Sequence, residues 1–197
     1  MINKALIAFA SSLLSVCLNP VYAAGEVTTV YGGNINFIGR VVNAACAVSS
    51  ESQTVILDQV RLANLNKGIG HTPGNNKNFT IELVDCDTSV SSEVEVTFLA
   101  PTDASKIPAA YQGVTFIAGS GANPAQGVGL QIFDWTHQPV RVDGTAPSAT
   151  RTLSDVRTVL PFSVGFISLV EALAVGTDGA MAAGSIEGSV NFDIRYF

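Results

Sequence analysis

The sequence predicts an all-β protein, a sandwich or a barrel, on three observations. Helical periodicity is scarce. Short runs rich in Val, Ile, Thr and Phe recur along the chain, separated by clusters of Gly, Pro, Asn and Asp. The C-terminal stretch "GSIEGSVNFDIRYF" alternates strictly, with Ile186, Gly188, Val190, Phe192, Ile194 and Tyr196 on one face and Glu187, Ser189, Asn191, Asp193 and Arg195 on the other. Successive side chains of a strand point to opposite faces, so this pattern describes a strand with one buried face.

The elements follow in chain order. Lys4, the apolar run "ALIAFASSLLSVCL" and the small residues of "VYA" form an export signal, with cleavage expected after Ala23 because Val21 suits the position three before the cut. Cys17 lies inside that signal. Val16 before it is a poor fit to a lipid-attachment site, so ordinary cleavage is the expectation. The apolar run is too short to span a membrane. Cleavage leaves 174 of the 197 residues, enough for one domain with a sizeable core.

Next comes "GGNINFIGRVV", residues 32–42. Its odd face reads Gly33, Ile35, Phe37, Gly39, Val41, an apolar face interrupted by a glycine. A glycine inside a strand often marks the close approach of another backbone. Further strands are expected at Asn34–Val42, Gln53–Leu57, Phe79–Val84, Glu93–Leu99, Val128–Phe133, around Thr152–Leu153, at Leu160–Ile167 and at Ser185–Tyr196. "RLANLNKG" has room for one helical turn. "TPGNN" (72–76), "SGANPAQG" (120–127) and "VDGTAP" (142–147) carry turn residues, and 174–184 reads as a loop of small residues. The chain shows no internal repeat and no linker between two domains.

The chain carries 10 Lys+Arg against 16 Asp+Glu. That acidic balance argues against nucleic acid and anionic membrane surfaces as partners. Charged residues make up only 13%, about half the usual share. Low charge suits a β protein whose surface is largely covered, as in a polymer. Beyond the signal the only cysteines are Cys46 and Cys86. An even pair in an exported chain points to a disulfide, the alternative being two unpaired buried thiols. No second pair of ligands exists for a structural metal site.

The residues offer no catalytic constellation. His71 lies in a Pro/Gly/Asn turn and His137 stands beside Trp135, each reading as a solvated loop residue. The chain has no Gly-x-Ser-x-Gly, no His-Glu-x-x-His and no phosphate-cradling loop. Glu93 and Glu95 share a strand face that reads as solvated, and Asp85 and Asp87 flank Cys86 as loop or strand-end residues. Trp135 alone is thin support for a sugar site. No catalytic, cofactor-binding or metal-binding residue is assigned, and no enzymatic activity is expected.

Several of these segments together resemble the major structural subunits of type 1 fimbriae, the pilins of the chaperone–usher pathway. "GGNINFIGRVVNAACAV" is similar to the N-terminal region of those pilins, and "ELVDCDTSV" to the segment around their second cysteine. "VGLQIFD" followed by "VDGT" resembles their central strands. Gly184 is fourteenth from the end and Tyr196 penultimate, as in the family's chaperone-recognition motif.

The resemblance implies an incomplete immunoglobulin-like β-sandwich lacking its seventh strand, completed by donor-strand complementation. It divides the chain into a signal peptide (1–23), an N-terminal donor-strand extension (24–42) and a pilin domain (43–197). The donor residues would be Gly33, Ile35, Phe37, Gly39 and Val41. Gly184, Ile186, Val190, Phe192, Ile194 and Tyr196 would form the chaperone-recognition and groove strand, and Cys46–Cys86 the family disulfide. The implied partners are other pilin subunits in a homopolymer, a periplasmic chaperone and an outer-membrane usher. The implied location is the fimbria on the bacterial surface, reached through the periplasm, with a role in cell adhesion. A minor or adaptor subunit is the alternative, and a tip adhesin a more distant one, since those usually carry an extra lectin domain. Segments 100–125 and 166–184 look longer or more apolar than the family pattern, and Phe197 stands where a polar residue is expected; both bear on whether the subunit is major or minor.

Overall fold

A computed structural model of the chain describes residues 30, 32–39, 41, 43–49, 52–116, 123–174, 177 and 179–197. The expected signal peptide (1–23) lies outside the described residues, as do 24–29, Arg40, Val42 and part of the expected turn at 120–127. The chain divides after Val41 into an N-terminal unit and a unit of residues 42–197.

The second unit is a two-sheet β-sandwich. Its described strands are β1 (Ala47–Val48), β2 (Lys77–Cys86), β3 (Glu93–Leu99), β4 (Val128–Phe133), β5 (Arg151–Thr152), β6 (Val156–Ser168) and β7 (Asn191–Tyr196). One sheet runs β1-β2-β6-β4 and the other β5-β3-β7. The pairings are antiparallel throughout. A single helical turn, α1 (Leu62–Leu65), sits where "RLANLNKG" has room for one, with Leu65 buried.

Alternation drives this arrangement. In β3, Val94, Val96 and Phe98 point inward and are buried, while Glu93, Glu95 and Thr97 face out. In β6, Thr158, Leu160, Phe162 and Val164 alternate inward in the same way. From Gly165 to Ser168 both faces of β6 are buried, because Ile107, Ile167, Leu169 and Tyr111 form a small second cluster there. Phe162 ties the two sheets together. Its ring stacks on Phe79 at 5.6 Å and meets Phe98 edge-on at 5.1 Å and Trp135 at 5.5 Å. Such pairs add roughly 0.5–1.5 kcal/mol each beyond the area they bury.

Strand bounds match the expected ones at β3 and β4. The segment around Thr152 is the short β5, and β2 and β6 run longer than their apolar runs. Three differences have physical reasons. The strand expected at Ser185–Tyr196 pairs as a ladder only from Asn191, because Ser185 is bonded instead to Asn123 and Ala125. Gln53–Leu57 joins no ladder. In the N-terminal unit, Asn34–Gly39 likewise has no ladder. Alternation records which face a segment can bury, whereas a strand also needs a neighbour for its N–H and C=O groups. The two-residue β1 carries too little pattern to be read from sequence.

Candidate functional site

The site is the flank of the sandwich beside β7. β7 bonds to β3 through Val94↔Tyr196, Val96↔Ile194 and Phe98↔Phe192. Among the described residues its other edge carries no ladder. Its inward residues differ from their partners in a telling way. Val94, Val96 and Phe98 are fully buried, yet Phe192, Ile194 and Tyr196 on the same face are only half-buried, as are Ile186 and Val190 before them. The apolar layer continues to the edge of the sheet and is only half-covered by the described residues.

The facing wall is the segment Gln53–Val60. Val55, Leu57 and Val60 point to the core and are half-buried. Among the described residues Gln53–Val60 makes no backbone hydrogen bond. The segment is held to β2 by side chains: the Gln53 amide donates to the Thr80 carbonyl at 3.2 Å, and Lys77 reaches Asp58 at 3.5 Å. An open cleft of about 340 Å³ runs between the walls at one end, where Leu57, Val60 and Leu62 face Ala125, Phe166, Gly184 and Ile186. A flank with unbonded main chain and half-covered apolar side chains is what an added strand needs. Main-chain bonds supply affinity, and alternate side chains entering pockets supply selectivity.

Gly184 closes this cleft. Residues 182–185 are stitched to 123–126 through Ala125 N–H to Ser185 C=O (2.9 Å), Ser185 N–H to Asn123 C=O (2.9 Å) and a reciprocal pair between Gln126 and Ala182 (3.1 and 3.2 Å). A Cβ on Gly184 would lie 2.5 Å from three backbone atoms of Asn123, Pro124 and Ala125. Only glycine permits that backbone approach. At the other end of β7, the Tyr196 hydroxyl donates to the Cys46 carbonyl at 3.2 Å. Cys46 and Cys86 form a disulfide. Gly184, Ile186, Val190, Phe192, Ile194 and Tyr196 therefore lie along one flank, with the disulfide at one end and the cleft at the other.

In the N-terminal unit, Gly33, Ile35, Phe37, Gly39 and Val41 are all exposed, Ile35 and Phe37 by 77% and 90%. Nothing lies within 4 Å of the position a Cβ on Gly39 would take. The sequence reading did not anticipate Val55, Leu57, Val60, Leu62 and Ala125 as lining residues. Val55 and Leu57 sit in the continuous apolar run Val55-Ile56-Leu57, whose local pattern does not say which side turns inward.

Among the described residues no group of three or more His, Cys, Asp or Glu is placed to hold a metal ion. His137 sits at φ +61° in an exposed turn, and Trp135 packs on Phe162 with the Arg151 guanidinium 5.5 Å over its ring. The indole is engaged on the protein itself.

Comparisons with known proteins agree with this geometry. The family model described as "Fimbrial protein" matches residues 35–196. The type-1 fimbrial protein C chain of Escherichia coli is 40% identical over 168 residues, covering 84% of this chain and 87% of that one. The type-1 fimbrial protein A chain of Escherichia coli K12 is 36% identical, covering 93% and 94%. Among solved structures, a chaperone–usher pilus chain superposes with a TM-score of 0.60 at 22% identity, covering 87% of this chain and 100% of that one. The P pilus rod subunit PapA does so with a TM-score of 0.57 at 20% identity, covering 78% and 100%. These superpositions show the fold, an incomplete immunoglobulin-like sandwich. The chain belongs to the fimbrial protein family and is a structural subunit of fimbriae at the bacterial surface.

Proposed function

We propose that this subunit polymerises by donor-strand exchange, with residues 24–42 of one copy entering the flank beside β7 of another. The observation that carries this reading is the second edge of β7, where among the described residues the apolar layer stays half-exposed and the main chain has no ladder. Ile35, Phe37 and Val41 would fill the gaps on that layer, each contributing roughly 1.5–3 kcal/mol when fully buried. Gly39 would face a site too shallow for a side chain. The pairing removes an open edge that otherwise invites aggregation.

Before exchange, a periplasmic chaperone would occupy the same flank through Gly184, Ile186, Val190, Phe192, Ile194 and Tyr196, and an outer-membrane usher would receive the complex. On this reading residues 1–23 are the export signal, 24–42 the donor extension and 43–197 the pilin domain. Identity of 40% and 36% to the C and A chains of type-1 fimbriae supports a shaft subunit, forming a homopolymer that serves adhesion.

The test is deletion of residues 24–42. The truncated chain is expected to bind the chaperone and fail to join a fibre; normal assembly would falsify the proposal. Loss of the whole shaft by electron microscopy in a strain lacking the protein identifies the major subunit, and loss of a tip or a subset of fibres a minor one.

A further inference from the structure

The end of the sandwich around the disulfide carries three exposed apolar residues, Val90, Val156 and Phe197, outside the flank beside β7. Loop 87–92 is tightly held there. The Asp87 N–H donates to the Ala45 carbonyl at 2.8 Å, and the Asp87 carboxylate accepts from the Ser89 N–H at 2.9 Å and hydroxyl at 2.5 Å. Thr88 donates to Asp155, and the Ser92 N–H to the Phe197 carbonyl at 2.8 Å. The loop is thus fixed to both the β5–β6 turn and the chain's last residue. It nevertheless presents Val90 at 43% exposure, and the segments it is bonded to present Val156 at 71% and Phe197 at 51%, the Phe197 ring lying 5.4 Å under the Arg195 guanidinium. Val156 is also held at φ +73°, opposite Cys86 where the β2–β6 register shifts. A β-branched residue seldom adopts that conformation, and such strain persists where the surroundings over-determine it.

Chain length says what covers this surface. Val41 is the last of the alternating apolar residues, and Ala45, buried at this end, follows four residues later. Extended chain spans about 3.3–3.6 Å per residue, so Val41 reaches no further than about 14 Å from Ala45. A neighbouring copy that grips Val41 must therefore bring the rim of its flank against the end that holds loop 87–92. We propose that Val90, Val156 and Phe197 form a collar packing against the groove rim of the next copy, a second contact between successive subunits beside the exchanged strand. This inference rests on the donor-strand reading above. The collar limits how far one subunit can swing about the short connection.

A photo-crosslinking residue placed at Val90, and separately at Val156, in the full chain tests this. Irradiated fibres are expected to yield covalent dimers whose linked peptides map to the groove walls of the adjacent copy, around 53–60 or 182–190. The same chains held as single chaperone-bound subunits should yield none. Val90→Ser with Val156→Asn keeps the fold, since asparagine accepts the left-handed conformation. Fibres of that variant should still assemble, with a bending persistence length at least twofold shorter. Fibres that form normally, give no such crosslink and keep their stiffness would overturn the collar and leave strand exchange standing. Assembly by the chain lacking residues 24–42 would overturn both.

Discussion

The hydroxyl of Tyr196, one residue from the end of the chain, donates a 3.2 Å hydrogen bond to the backbone carbonyl of Cys46, whose sulfur is bonded to Cys86. Burial raises the phenol's pKa above its ordinary value, which already leaves it protonated and able to donate at neutral pH. The open strand β7 is thereby tied to the disulfide across 150 residues of sequence. Tyr196→Phe keeps the ring and removes the bond. The expected loss is about 0.5–1.5 kcal/mol, read from guanidinium unfolding of the mature chain. An unchanged midpoint would show that the bond contributes nothing net.

The disulfide closes a loop of 40 residues. In the chain-entropy model that constraint is worth about 4 kcal/mol, with measured losses of roughly 2–5 kcal/mol on removing such a bond. Cys46→Ser combined with Cys86→Ser should lower stability by that amount. The cost of Tyr196→Phe should also shrink in this background, because the carbonyl it addresses is no longer held. A double-mutant cycle with purely additive losses would separate the two features.

Two glycines of the proposed mechanism should behave in opposite ways. Gly184→Ala forces a Cβ to within 2.5 Å of the 123–125 backbone, so it should destabilise the folded unit by roughly 1–3 kcal/mol and loosen the clasp at the cleft. Gly39 has open space around it, so Gly39→Leu should leave the stability of the single subunit unchanged. Its effect should emerge in polymerisation, which slows or stops if the receiving site is shallow. Thermal melts of both variants beside an assembly assay make the comparison. Equal destabilisation of the two monomers would contradict it.

Acid should weaken the fold through Asp134. Burial pushes this carboxyl's pKa up, but the combined bonds from the Thr136 hydroxyl (2.6 Å) and the N–H groups of Ala149 (3.1 Å), Thr136 (2.8 Å) and Gln138 (3.3 Å) outweigh it and hold the pKa below the ordinary value. A depressed folded pKa contributes stability that is fully present above the unfolded value, near 3.9, and is lost as pH falls through the folded one. Asp134→Asn should cost about 1–3 kcal/mol at neutral pH and flatten the fall in stability below about pH 4. Urea unfolding from pH 7 to pH 2.5 reads both, and an equally steep acid limb in the variant would remove Asp134 as its source.

Much of the sandwich was legible because a half-buried strand writes its geometry into alternating residues. Glu93–Leu99 and Val128–Phe133 carry that signal to their ends. Val156 and Arg157, at the start of β6, do not: they are exposed and pair with Cys86 and Val84 through a register shift that local pattern cannot express. The walls of the candidate site were half legible. The stretch from Ile186 through β7 announced its apolar face through six alternating positions, whereas Val60, Leu62 and Ala125 line the cleft from segments without a strand pattern.

By itself the sequence determined the β class, the pair of cysteines able to bond, and an alternating apolar pattern near each end of the chain. Period-two alternation decides which side of a segment seeks the core, and that is a local property. Tertiary structure alone decided which edges found partners. Long-range pairing of β7 with β3 on one side, and the stitching of 182–185 to 123–126, left the second side of β7 without a ladder among the described residues. Each strand's main chain offers bonds on two edges, and only the arrangement of the whole sandwich settles which of them stays open.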